Sequence, residues 1–400
     1  MPVDPLVADL TAALDAVPLI DPHSHIEPLS AASKSLDDIL GYHYYTELAH
    51  SAGMPKDCLA KDVSPKDRCR EILKHIDRYD NTAQYAWFVH IAKAFLGFTG
   101  DRVTAADADA LWNAAEKAFS APDWEKQVFA KTNLEKIFLT NEFDDPLDGF
   151  DTNVFVPCLR TDTLVFKFRE PGVRERLAKV TGVDAGDVPT LKKAMRVLFE
   201  RFVAKGAKAC AISLPPDFVP SANGNSTFWM LAELCREFKL PFDLMIGVNR
   251  AVFPTGVYQG QDLFDQRTSL IQYKELFNAF PEVTFPVSVL TSGQNQELVA
   301  YSWIFPNVVP NGHWWYSNIP AYIRADLTER LQAVPKTKLV GYYSDAYKLE
   351  FVLPKFAMYR RVLAKVLADE YVRPGRLKEA AAVDLGTRLL RGNVREIFHV

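Results

Sequence analysis

Short apolar runs rich in β-branched and aromatic residues recur along this chain, most of them ending in polar residues and most followed by helical periodicity. They fall at 18–23 (PLIDPH), 134–141 (LEKIFLTN), 153–160 (NVFVPCLR), 207–214 (AKACAISL), 241–249 (PFDLMIGVN), 283–290 (VTFPVSVL), 307–313 (NVVPNGH) and 338–345 (KLVGYYSD). Eight strands are what a closed parallel barrel needs. Most runs lack polar alternation, as expected of strands covered on both faces. Helical periodicity is clearest in 191–204, 226–238 and 356–370, which suit an outer layer. The expected fold is α/β: one (β/α)8 TIM barrel over residues 1–400.

Between the first run and the second lie residues 30–130, far more than a βα connection uses, so this stretch must carry structure of its own. Asp77 to Phe98 and Ala105 to Phe119 both read as helices, which predicts a mainly helical insertion at the barrel mouth. The stretch from Arg373 onward is helix-prone and is expected to close the opposite end. With 48% hydrophobic residues the chain can bury a large core. Its 46 basic and 50 acidic residues are well mixed and leave a net charge of −4, which draws neither nucleic acid nor an anionic membrane. No apolar run is long enough to span a bilayer, and MPVDPLVADL lacks the basic start and apolar stretch of a signal peptide, so the cytoplasm is the expected location. The five cysteines are scattered without a CxxC pair, and a homo-oligomer is compatible with the sequence.

The chemistry-bearing signal is Asp21-Pro22-His23-Ser24-His25 at the end of the first run. A strand puts residues i and i+2 on one face, so His23 and His25 can point at one spot. The last run ends in Asp345, and in a closed barrel the eighth strand lies beside the first. Two imidazoles and one carboxylate then define a site for a single divalent metal, with positions left open for water or substrate. Asp345 could alternatively cap the following helix. No histidine falls between His90 and His313, and no lysine ends the fourth run, so a two-metal hydrolytic centre lacks its ligands. Zinc is the metal expected from the ligand types, while Mn2+, Fe2+ or Co2+ would fit similar donors.

With these residues in place, the chain resembles the uronate isomerase (glucuronate isomerase) family of the amidohydrolase superfamily, over nearly its whole length. LIDPHSHIEP resembles the family's first-strand metal motif, and GYHYYTELAHSAGMP its His-Tyr segment, here His43-Tyr44. WFVHIAKAFLGFTGDRVTAADADALW is similar to the family's helical insertion. LTNEFDDPLDGF and FVPCLRTDTLV resemble two strand ends, through Asp145, Pro146, Arg160 and Asp162. LMIGVNR looks like the strand carrying a substrate arginine, here Arg250, and NGHWWYSN resembles a tryptophan pair segment, through Trp314 and Trp315. VGYYSDAYKLEFVLPKFAMYRRVL is similar to the closing motif and its helix, through Asp345, Arg360 and Arg361. Three departures stand out: Met245 where the family has histidine, and Gly293 and Tyr347 in segments where it has arginines. Lys348 could supply one of the missing charges, without the fork of a guanidinium.

The resemblance implies an aldose to ketose shift on a hexuronate such as D-glucuronate or D-galacturonate, through an enediol. Asp345 would be ligand and proton acceptor, and a water at the metal or Tyr44 the second proton carrier, with His43 beside it. Arg160 and Arg250 would grip the sugar acid, and Asp162 would stand beside Arg160 as a contact or an ion-pair partner. One of Trp314 and Trp315 would face the sugar and the other the core. His313 could be a pocket acid, a replacement ligand or a structural histidine. Two alternatives remain open at this stage: a mononuclear hydrolase or decarboxylase on a non-uronate substrate, and a sugar-binding protein without turnover.

Overall fold

The computed structural model describes residues 4–170, 172–222 and 226–400. After α1 (Pro5–Asp15), the first barrel strand is β1 (Leu19–Asp21), followed at the second position by β2 (Leu134–Phe138). The third position is split into β3 (Phe155–Val156) and β4 (Cys158–Arg160). Pro157 lies at the split, where it removes one ladder donor. Then come β5 (Ala209–Leu214), β6 (Phe242–Ile246) and, outside the barrel, an antiparallel hairpin of β7 (Val248–Asn249) and β8 (Leu263–Phe264). β9 (Phe285–Val289) and β10 (Val308–Pro310) take the sixth and seventh positions.

All barrel pairings are parallel, in the orders β1-β2-β3 and β10-β9-β6-β5-β4, and β3 and β4 join the two sheets as one continuous segment. The eighth position is held by a single bridge between Asn311 and Val340. It meets the first strand through Asp345 N donating to the His23 carbonyl at 3.1 Å and His25 N donating to the Ala346 carbonyl at 2.8 Å. Gly312 has φ +53°, and a Cβ there would meet the Tyr343 ring at 2.3 Å, so only glycine fits between the seventh and eighth positions.

Helices cover the barrel as expected. In α10 (Val188–Ala204), Asp187 caps the Thr190 amide, and Leu191, Met195, Leu198, Phe199 and Phe202 form the buried stripe. α15 (Val352–Leu367) follows the eighth position and buries Val352, Phe356, Tyr359 and Leu363. Between β1 and β2 the chain forms Leu36–Leu40, His43–Ser51, Pro65–Lys74, Ala83–Phe95, Ala108–Phe119 and Trp124–Thr132, all helical, with short 3-10 turns among them. Their apolar faces share one core with α15, for example through Trp87, whose Nε1 donates to Met358 Sδ at 3.3 Å. The barrel interior is filled by Ile20, Phe138, Val156, Cys158, Ala209, Ala211, Val309 and Val340, and Val394 and Phe398 of the helix Asn393–Phe398 pack into the same cluster. Among the described residues, no helix is long and apolar enough to cross a membrane.

Candidate active site

β1 delivers His23 and His25 to the carboxyl end of the barrel, and the eighth position delivers Asp345 beside them. His23 Nε2 is 3.6 Å and His25 Nε2 is 3.3 Å from Asp345 Oδ1. The three donor atoms all lie within 4.8 Å of one another. Donors bound tetrahedrally at about 2.1 Å stand roughly 3.4 Å apart, so the spacing suits one ion.

Hydrogen bonding tests whether these residues fit a metal. Thr140 Oγ1 donates to the Ser24 carbonyl at 3.0 Å and sits 2.8 Å from His25 Nδ1. A hydroxyl has one proton, so the Thr140 oxygen accepts from His25 Nδ1–H. His25 Nε2 therefore presents a lone pair to the Asp345 carboxylate, an arrangement that calls for a cation between them. His23 Nε2 and Asp345 Oδ1 are buried and lack hydrogen-bond partners among the described residues. His23 Nδ1 faces the buried Asp243 at 3.9 Å, and Asp243 accepts from Asn311 Nδ2 at 3.1 Å. The residues fit a single divalent metal.

Burial opposes ionisation of Asp345, but the adjacent imidazoles of His23 and His25 outweigh it and hold the carboxyl well below the usual range. Burial also opposes charge on His23, and Asp345, Asp243 and Asp21 overcome it, raising that imidazole. Burial pushes Asp21 and Asp243 each up to about 6. Asp21 is anchored by the Ser344 amide, which donates to its Oδ1 at 2.9 Å. Asp345 has φ +52°, a left-handed backbone for a residue with a Cβ.

Two cavities open at this end of the barrel. The larger, about 680 Å³, is lined by His25, Tyr42, His43, Gln259, Tyr347 and Lys348 among others. The second, about 520 Å³, is lined by Glu142, Arg160, Asp162, Lys167, Ser213 and Arg250 among others. His43 is packed among the rings of Tyr42, Tyr44, Trp315 and Tyr347, and burial takes its imidazole down to about 3, so it is neutral. Tyr44 does not line either cavity: its buried hydroxyl has no hydrogen-bond partner among the described residues, and its ring packs on Tyr42 and Trp87. Tyr42, which the sequence did not single out, donates to the Asp345 carbonyl at 2.9 Å.

Arg160 is held by Asp162, which engages only its Nε at 3.2 Å. Arg250 is exposed and paired with Asp262 at 2.6 Å, at the rim of the second cavity. The tryptophan pair lies beyond the end of β10 at Pro310. Trp314 is buried with Met245, Val248, Leu290 and Tyr343, and Trp315, with φ +41°, stacks on Tyr316 and meets His43 edge-on. His313 is not brought to the metal centre. It lies between barrel and helices, with Nδ1 3.6 Å from Asp326 and its ring near Tyr342 and Tyr359. Met245 fills the histidine position with apolar packing, and the Tyr347 ring lies 4.9 Å from that of His25 with its hydroxyl accepting from Gln259.

Thr140, Tyr42, Asp243 and Lys355 were not anticipated. Lys355 had a readable signal, since it is a cation on the buried stripe of α15.

A parallel barrel with a His-x-His pair following its first strand and an aspartate at its eighth position has the donor set for one divalent metal at its mouth, and solved uronate isomerases share its fold. This chain is similar over its whole length to several uronate isomerases. That of Corynebacterium efficiens is 23% identical over 469 aligned residues, covering 100% of this chain and 97% of its relative. The solved glucuronate isomerase of Caulobacter crescentus superposes with a TM-score of 0.90 at 19% identity, covering 100% of this chain and 95% of that one. The uronate isomerase of Thermotoga maritima gives 0.89 at 18%, covering 99% and 98%. No protein-family model matches the chain.

Proposed function

We propose that this chain is a metal-dependent aldose–ketose isomerase acting on a hexuronate such as D-glucuronate or D-galacturonate. The observation that carries the reading is the convergence of His23, His25 and Asp345 on one point at the barrel mouth. The full-length likeness to uronate isomerases supports the reaction class.

A bound divalent ion, Zn2+ by ligand type with Mn2+, Fe2+ or Co2+ as substitutes, would supply a Lewis acid for neighbouring hydroxyl and carbonyl oxygens of one sugar. Asp345, held ionised, accepts the proton from the hydroxyl-bearing carbon and returns it to the former carbonyl carbon, through an enediol. His43, neutral and with its Nδ1 unengaged, moves the proton between the two oxygens, a task for which it is better exposed to the cavity than Tyr44. Arg160, with Asp162 fixing only its Nε, offers its terminal nitrogens to the sugar carboxylate or hydroxyls. Lys348, whose ammonium donates to the Ser30 carbonyl at 2.7 Å, adds a cation to the wall of the larger cavity. Arg250 and Trp315 contribute at the periphery. A cytoplasmic location fits a sugar-acid isomerase.

The test is a panel of hexuronates incubated with metal-reconstituted protein and followed by NMR. Conversion of at least one aldose to its ketose is expected, and Asp345→Asn should abolish it. A protein that takes up metal yet converts none of the panel would sink the reading.

A further inference from the structure

Lys355 has no exposed surface. Its ammonium donates to the Ser344 carbonyl at 2.8 Å and to the Tyr42 hydroxyl oxygen at 3.2 Å. It also stands 5.0 Å from the ring centroids of Tyr42, Tyr44 and Trp87 and 6.0 Å from that of Phe351. Its partners are thus a carbonyl, a hydroxyl and ring faces rather than a carboxylate. A buried ammonium in such company contributes nothing to packing that methionine would not, because desolvating the charge opposes folding.

What the charge does is visible one step further on. The Tyr42 hydroxyl that accepts from Lys355 donates in turn to the Asp345 carbonyl at 2.9 Å. The carbonyls before and after the Asp345 Cα are therefore both held, one by the ammonium itself and one through the phenol. A donor chain of this kind polarises each link toward the next. The Asp345 amide is pinned as well, to the His23 carbonyl. These bonds surround a residue whose φ of +52° an L-amino acid adopts only when its surroundings enforce it.

We propose that Lys355 is a positioning residue for the metal ligand Asp345: its ammonium, directly and through Tyr42, clamps the two carbonyls that bracket the ligand and so aims its carboxylate at His23 and His25. The inference rests on the reading of Asp345 as a ligand. Burial lowers the Lys355 ammonium to about 8, while Asp345 and Asp21 favour its charge, so the clamp is cationic at neutral pH.

The experiment uses the full chain stripped of metal. Lys355→Met removes the donors and keeps the volume, and Lys355→Arg keeps the donors. Tyr42→Phe deletes only the hydroxyl, and it decides the matter if Lys355→Met does not fold. Two quantities are read: Co2+ affinity from the visible spectrum on titration, and hydrogen exchange of the amides of residues 344–346 in metal-free protein. Lys355→Met and Tyr42→Phe should each weaken Co2+ binding by about tenfold or more and speed exchange in that segment, with Lys355→Arg restoring both. Exchange and affinity within about twofold of wild type in the folded variants would overturn the clamp. A wild type that binds no Co2+ would defeat the metal reading instead, and the exchange comparison in metal-free protein would still decide the role of Lys355.

Discussion

The Thr140 hydroxyl determines which ring nitrogen of His25 carries hydrogen: with its own proton committed to the Ser24 carbonyl, it accepts from Nδ1 and leaves Nε2 unprotonated. An outer partner of this kind sets the tautomer of a metal-binding imidazole. Thr140→Val preserves shape and removes the acceptor. We expect Zn2+ affinity, measured by isothermal titration, to fall roughly 10- to 100-fold, with Thr140→Ser near wild type. Thermal unfolding of the metal-free variant should change little, since the lost bond is at the mouth and not in the barrel interior.

His313 provides a pH-dependent prediction. Burial, assisted by the neighbouring Arg330, lowers its imidazole to about 4, below the ordinary 6.5. A depressed folded value means that the unfolded chain takes up the proton first as pH falls, so the contribution to stability is complete above about 6.5 and is lost on the way down to about 4. Urea unfolding midpoints measured from pH 7 to pH 4 should fall more steeply in the wild type than in His313→Gln. Metal affinity at neutral pH should be equal in the two, because His313 faces Asp326 and not the three donor atoms. A large loss of metal in the variant would return His313 to the site.

Phe398 packs against Phe138 with ring centroids 5.1 Å apart, inside the cluster that fills the barrel. Its side chain is 1% exposed, so Phe398→Ala leaves a void among strands that cannot collapse around it. We expect a loss of about 3–5 kcal/mol in urea-induced unfolding. The remaining folded protein should bind metal with unchanged stoichiometry, since this residue sits at the end of the barrel remote from the mouth.

The barrel and the meeting of His23, His25 and Asp345 were legible because each depends on local pattern. Apolar runs of strand length announce strands, and His23 and His25 two apart on a strand need no partner to share a face. Asp345 followed once eight strands implied a neighbour for the first. The supports were not legible, because they arise where distant elements pack. Tyr42 and Tyr44 look alike in sequence, and only the docking of the helix His43–Ser51 against α15 puts one hydroxyl on the Asp345 carbonyl and the other in a ring stack. What divides the tryptophan pair is backbone the sequence does not show: β10 ends at Pro310 and the chain turns at Gly312 and again at Trp315, leaving Trp314 in the core.

Ser344 and Asp21, joined by a hydrogen bond, are 323 positions apart in sequence, and the donor atoms for the ion sit on either side of that junction. An ion there acts as a rivet through two segments that the unfolded chain keeps far apart, so binding it and joining those segments are one thermodynamic event. Metal occupancy would then double as a gauge of assembly: a molecule whose first and eighth staves have parted keeps only the two imidazoles to hold a cation.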